Sequence, residues 1–237
     1  MSAVWMCLPS AKPDGGTIPL WKAKGYNVAV WRDPGKPTLF ATDLVIEAPY
    51  LGYYAACNRL VRDVFEWHSD CDWCVCAADD TLPDERNPEE IAAECQIHSR
   101  ICSLDLYRSM LVMQPTGDPW ADGLGRIIER IAGSPWIGRE FARRANKGKG
   151  PYCEEYFHMG GDEELKEVAE KLGVYWPRPD LTHTHLRWDR DGQVYKGPMG
   201  NIPPHYMAKA YGPEEWANYE KVFKARKAAG FPGSEPL

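Results

Sequence analysis

Residues 72–84 read DWCVCAADDTLPD, an apolar run that ends abruptly in two acids and a turn. From Trp73 to Ala78 no polar residue alternates with the apolar ones. That pattern predicts a parallel strand covered on both faces, not one with a wet side. Asp79 and Asp80 then stand at its carboxyl end, and open α/β sheets hold ligands in the crevice outside the carboxyl ends of their strands. Two carboxylates in that place make an oxygen-rich seat for Mg2+ or Mn2+. Cys71 and Cys74 also pose a zinc reading, because Cys-x-x-Cys is a half-site for a tetrahedral ion. No matching second pair follows, so Cys74 and Cys76 are expected as small buried apolar residues.

Working outward, the segments Val4–Leu8, Tyr26–Trp31 and Leu44–Ile46 read as further strands, the first ended by Pro9 and the second by the turn residues Asp33, Pro34 and Gly35. Between the third strand and the acidic one, Tyr54–Trp67 reads as a helix. It is expected to pack Ala55, Leu60, Val64 and Trp67 on a sheet and to turn Arg59, Arg62, Asp63 and Glu66 outward. Helices are also predicted over Pro88–Ser99, Gly123–Ala132, Ile137–Ala145 and Asp162–Leu172, the last with acids against its positive amino end. Strands alternating with helices predict an α/β fold with a mixed, mostly parallel sheet flanked by helices. Beyond Trp176 the residues are dense in Pro, Gly and His and assign no element until a helix at about Pro213–Ala229. A tail with Pro232, Gly233 and Pro236 reads as disordered. The expected organisation is one catalytic domain over 1–188 and a helical or irregular extension over 189–237 packed on it.

At 237 residues the chain is long enough for one substantial core. Its net charge of −6 argues against strong attraction to nucleic acid over the whole surface, so any such binding must be local. The candidate is the basic group Arg139, Arg143, Arg144, Lys147 and Lys149. Ten Trp and twelve Tyr suit a large aromatic core and, secondarily, a site that stacks on rings. No apolar run approaches the ~20 residues of a membrane span. The start MSAVWMCLPSAKP lacks the regions of a secretory signal. A cytoplasmic location and reduced cysteines are therefore expected, with a monomer or weak dimer as the assembly.

Histidines that can complete an ion's shell lie downstream in DLTHTH, at His183 and His185. Two residues apart on an extended segment, they point to opposite faces, so one can ligate while the other packs or touches phosphate. In GGDEEL, Asp162 opens a helix either as an ordinary cap or as a carboxylate placed to take a proton, with Glu163 as the fallback.

The ordered series LPSAKP, WRDPG, YYAACNRL, DWCVCAADDTLPD, YFHMGGDEEL and DLTHTH, spanning Val4 to Trp188, resembles GT-A glycosyltransferases. Within them it is most similar to phage-type enzymes that decorate hypermodified DNA bases with sugar. The resemblance implies a GT-A-like, Rossmann-like sheet and a metal-dependent transfer from a UDP-sugar, such as UDP-glucose or UDP-N-acetylglucosamine, to a hydroxyl. It implies that Asp80 holds the ion against the donor diphosphate, with Asp79 nearer the ribose or sugar. Nucleoside contacts then fall to Pro9, Ser10, Arg32, Asp33 and Asn58, and the acceptor-activating carboxylate to Asp162. The implied acceptor is a 5-hydroxymethyl pyrimidine in DNA, its phosphates met by Arg143, Arg144, Lys147 and Lys149, and the implied location the host cytoplasm if phage-encoded. The adjacent acids depart from the family's usual Asp-x-Asp spacing, which leaves open which aspartate touches the ion.

Other acceptors remain, namely a glycan, a protein or a small molecule. A nucleotidyl or phosphoryl transferase also places acids and Mg2+ at strand ends, although no G-x-x-x-x-G-K-[ST] loop occurs. A non-catalytic zinc- or DNA-binding module is the third alternative.

Overall fold

A computed structural model describes residues 3–102, 108–118, 131–186, 196–197, 200–201, 209–210 and 212–233. Seven strands form the main sheet: β1 (Ala3–Pro9), β2 (Asn27–Arg32), β3 (Leu44–Glu47), β4 (Cys71–Cys76), β5 (Val112–Pro115), β6 (Trp136–Gly138) and β7 (Tyr175–Arg178). Their order is β3-β2-β1-β4-β6-β5-β7, and a two-stranded ribbon of β8 (Lys196–Gly197) and β9 (Gly200–Asn201) stands apart. Every neighbouring pair in the main sheet is parallel except those made by β6, which runs against both β4 and β5. The predicted α/β class, with its mixed and mostly parallel sheet, is the one observed.

Helices cover both faces: α1 (Ile18–Ala23), α2 (Tyr53–Trp67), α3 (Pro88–Cys102), α4 (Arg139–Arg144), α5 (Gly161–Lys171) and α6 (Pro213–Ala228). Side chains of a strand alternate between faces, and β1 sorts itself accordingly. Trp5 and Cys7 enter the cluster under α2, α4 and α5. Val4, Met6 and Leu8 enter the cluster that holds Trp21 of α1 and Ile91 of α3. Cys71, Cys74 and Cys76 are fully buried free thiols, as their apolar setting predicts.

Several expectations need correction. Ile137 begins no helix. It is the middle of β6, where Trp136–Gly138 pairs on both sides, and only from Arg139 does the chain turn helical. On α2 the buried face is Tyr54, Cys57, Leu60, Val61, Val64 and Phe65, whereas Trp67 is 57% exposed. Asp63, expected outside, is 4% exposed and takes a salt bridge of 2.8 Å from Arg59 one turn earlier. β7 went unassigned because Pro177 interrupts its pattern, and proline is admitted there because β7 is an edge strand. Pro232 and Gly233 are placed, not loose: Phe231 is buried, and Gly233 O accepts a hydrogen bond from Lys147 N at 3.2 Å. Most of the expected helix at Gly123–Ala132 lies outside the described residues, as do the boundary at 188 and Pro236.

The sheet's connectivity locates the working edge. From β1 the chain moves outward through β2 and β3, then returns to the other side of β1 as β4. That reversal opens a crevice between the carboxyl ends of β1 and β4, the place where doubly wound sheets take their ligands.

Candidate active site at the carboxyl edge

Ser10, two residues before Lys12 and just past β1, faces Asp79, just past β4. Ser10 Oγ donates to Asp79 Oδ2 at 2.6 Å, and Lys12 Nζ lies 2.9 Å from Asp79 Oδ1. The Asp79 carbonyl accepts from Thr17 N at 2.9 Å. This close approach needs Gly16: its φ is +57°, and a Cβ there would stand 2.0 Å from Asp79 O. Asp79 is thereby turned toward the loop after β1.

Asp80 turns the other way. Its carbonyl accepts from Leu186 N at 2.7 Å, and its Oδ1 lies 2.9 Å from His185 Nε2. Burial alone pushes the Asp80 carboxyl up. The hydrogen bond and electrostatic pull of His185, with Lys12 nearby, outweigh burial and hold the group below the ordinary aspartate value. His185 N donates to Asp118 Oδ2 at 3.1 Å, just past β5. The segment after β7 thus lies across the exits of β4 and β5, supported also by Leu82 N to Thr184 O at 2.8 Å and Gly117 N to Leu181 O at 2.8 Å.

The two histidines do face apart. His183 is 2% exposed, its Nδ1 is 3.1 Å from Ser134 Oγ, and its ring meets Trp21 edge-on at 5.0 Å. Burial drives its pKa down to about 4, so it packs as a neutral ring inside the sheet's α1 side. His185 alone of the pair faces Asp80.

Two adjacent tyrosines at the start of α2 bond in two directions, one toward the strand that leads to the acids and one toward Asp162. Tyr53 OH donates to Ala77 O at 3.2 Å, beside the acids, and Tyr54 OH donates to Asp162 Oδ1 at 3.0 Å. Burial raises the Asp162 carboxyl above its ordinary value, against the hydrogen bonds of Tyr54 and Glu163. A raised carboxyl is a better proton acceptor at neutral pH. Glu163 is engaged by α6, accepting from Tyr219 OH at 2.5 Å.

Other expected contacts serve the scaffold. Arg32 is 1% exposed and spends its guanidinium on three backbone carbonyls, Ser10 O, Lys12 O and Pro37 O. It shapes the loop after β1 and presents no face to a base. Asn58 is fully buried and pairs like a peptide with Tyr152, donating to its carbonyl at 2.8 Å and accepting from its amide at 2.9 Å. Asp33 opens its turn, with Lys36 N on its carbonyl, and its Oδ1 accepts from Tyr50 N at 3.1 Å. Pro9 ends β1 in register with Trp31 of β2.

The basic group sits elsewhere. Arg139 is committed to the carbonyls of Phe65, His68 and Cys71, at the far end of α2, and Arg143 and Arg144 both pair with Glu140. From Phe65 back to Tyr53 is twelve residues of helix, about 18 Å at 1.5 Å per residue. Arg143 lines a groove at that far end, and Lys147 and Lys149 are exposed on the loop beside it.

Lys12, Tyr54 and Asp118 contact the candidate residues Asp79, Asp162 and His185, and the sequence reading passed over them. Lys12 stood inside the motif LPSAKP, and its position three past the strand-ending Pro9 was the signal available. Nothing local marked Tyr54 or Asp118, which matter only through partners 108 and 67 residues away.

Among the described residues no group of three or more His, Cys, Asp or Glu gathers to hold a metal ion. The Asp80 carboxylate, with His185 beside it, still fits Mg2+ or Mn2+: both seek oxygen ligands, and Mg2+ is typically held through one or two carboxylates, with substrate phosphates and water completing the shell. No described helix is long and apolar enough to cross a membrane.

No protein-family model matches the chain, and no curated protein does. Among solved structures it is similar to A197 from STIV, with 13% identity over 80% of this chain and 88% of that one and a TM-score of 0.49. It is also similar to a Drosophila β-1,4-galactosyltransferase 7 mutant in complex with manganese, UDP-Gal and xylobiose. There the identity is 11% over 86% of this chain and 82% of that one, with a TM-score of 0.45. A glycosyltransferase involved in glycosylation of the major capsid of PBCV-1 shares 14% identity over 74% and 81%, with a TM-score of 0.36.

Proposed function

We propose that this chain is a metal-dependent glycosyltransferase that moves a sugar from a UDP-sugar, UDP-glucose or UDP-N-acetylglucosamine, to a hydroxyl. The observation that carries the proposal is the Asp80 and His185 pair, 2.9 Å apart, at the crevice where the strand order reverses, with Lys12 alongside. Asp80 and His185 are the residues that hold the ion, and Asp79 belongs to the donor side with Ser10. The ion, when bound, supplies a Lewis acid for the diphosphate. Lys12 adds a second positive charge at the same loop. The acceptor oxygen forms a bond to the anomeric carbon as the bond from that carbon to the diphosphate breaks, and the acceptor's proton passes to Asp162. Inversion at the anomeric carbon is the simpler outcome with Asp162 as base.

A 5-hydroxymethyl pyrimidine in DNA belongs among the acceptors to be tried. The position of Arg143, Arg144, Lys147 and Lys149, near the far end of α2, favours a glycan, protein or small molecule over a duplex gripped by those residues.

Calorimetric titration with UDP-glucose and UDP-N-acetylglucosamine, in Mn2+ and then in chelator, is the test. Binding that needs the ion and vanishes in Asp80→Ala supports the reading. If no nucleotide sugar binds in Mn2+, the reading is lost. Release of pyrophosphate from a nucleoside triphosphate in place of UDP from the sugar donor would transfer the site to nucleotidyl chemistry.

A further inference from the structure

Away from the crevice, the second half of α2 and the α4 region leave between them a groove of about 200 Å3. Its floor is apolar, made by the buried side chains Val61, Phe65 and Ala142. One wall is fixed: the Arg139 guanidinium sits 4.9 Å from the Phe65 ring centre and is bound to Phe65 O and His68 O at the end of α2 and to Cys71 O at the start of β4. The opposite wall is the backbone at Gly148 and Gly150.

That backbone is held in an uncommon shape. Asn146 and Lys147 have φ of 49° and 60°, and Gly148 and Gly150 have 80° and 132°. Non-glycine residues enter the left-handed region only at a cost that the surrounding structure must offset. Asn146 Nδ2 to Gly150 O at 3.2 Å and Lys147 N to Gly233 O at 3.2 Å keep the segment there. The wall is therefore formed before any ligand arrives.

Charge gives the groove its sign. Arg62 on the rim and Lys147 and Lys149 flanking Gly148 are exposed and meet no carboxylate among the described residues, while Arg143 is paired with Glu140. Glu66 is the one acid in the lining. In a chain of net charge −6, three cations with no carboxylate partner among the described residues, beside an apolar floor, run against the sign of the whole.

We infer that this groove binds a small amphipathic anion, a flat apolar body of one or two rings carrying a single carboxylate or sulfonate. The volume lies below the roughly 300–1,000 Å3 of sites for larger ligands, which limits the body to about that size. Burying the rings on Val61, Phe65 and Ala142 supplies the apolar contribution, and the cations select the acidic group. The inference is independent of the transfer reaction.

The test uses naphthalene-1-sulfonate as probe on the 15N-labelled full chain. Saturable one-to-one binding is expected, with amide shifts at Val61, Phe65, Ala142, Gly148 and Gly150. The neutral analogue 1-naphthylmethanol should bind at least tenfold more weakly, and the surface variant K147E/K149E should weaken the sulfonate about tenfold. Ala142→Trp fills the groove and should abolish binding. Because that change is in the core, the surface variant and the neutral analogue decide the matter if it does not fold. Equal binding of the neutral analogue, indifference to K147E/K149E, or shifts confined to Ser10–Lys12 and Asp79–Asp80 would each overturn the assignment.

Discussion

Replacing Arg226 by leucine should unfasten α6 from α5 and cost about 3–5 kcal/mol, the usual penalty for stripping one partner from a buried ion pair. Arg226 binds Glu164 in a two-pronged grip, Nε to Oε2 at 2.8 Å and Nη2 to Oε1 at 2.7 Å. The Glu164 side chain is 3% exposed and that of Arg226 11%, so water cannot replace the lost guanidinium. Tyr156 OH at 2.9 Å would remain as the one described hydrogen bond to the stranded carboxylate. At roughly 2–4 °C per kcal/mol for a chain of this size, the melting midpoint should fall by about 6–20 °C. Urea titration gives the free energy and a thermal melt the midpoint. The partner variant Glu164→Leu with Arg226→Leu is the control, since an apolar pair of similar volume is often as stable as the ions it replaces. A loss under about 1 kcal/mol in Arg226→Leu, or a double variant no more stable than the single one, would refute the reasoning.

Gly16→Ala should lower donor affinity at least tenfold, since its Cβ would stand 2.0 Å from the Asp79 carbonyl at a φ of +57°; unchanged UDP-sugar titration would count against Asp79 lying on the donor side. Transfer should rise with pH along a limb above the ordinary aspartate range, because burial raises Asp162 and only its ionised form accepts a proton. Asp162→Asn should flatten that limb and slow transfer by about 10²–10⁴ while donor binding stays intact. The sign for stability is opposite: folded Asp162 holds its proton more tightly than the unfolded chain does, so its contribution is present in acid and lost as pH climbs through the folded value. Seven of the eight cysteines are buried and Cys102 is half-buried, so a thiol reagent should modify one group promptly in the native protein and eight after denaturation. Prompt reaction of several thiols would mean that the sheet interior is not packed as described.

The long, strongly patterned elements were legible because their own residues decide them. β4 is one, its apolar run requiring cover on both faces, and α5 another, read to within one residue at each end. β6 was not legible, since three residues after Pro135 carry no period and only pairing with β4 and β5 makes them a strand. The same logic divides the site. Asp79 and Asp80 lie past the end of β4, as their place after an apolar run predicts, and His183 and His185 face apart, as their spacing predicts. Arg32 and Asn58 misled, because a polar residue on a strand end or helix looks the same whether it meets a ligand or a backbone carbonyl. Only the burial of each, with Arg32 on three carbonyls and Asn58 on Tyr152, distinguishes the two.

The closest contact of the proposed metal seat joins residues 105 positions apart. Strands β1 to β4 are contiguous in the first 76 residues and pair among themselves, so a chain emerging from the ribosome can assemble that half-sheet early. Asp80 is then waiting, but the imidazole that faces it has not yet been synthesised. A chain ending before His185 therefore lacks the imidazole that faces Asp80, and the proposed seat is complete only once most of the sheet has been synthesised.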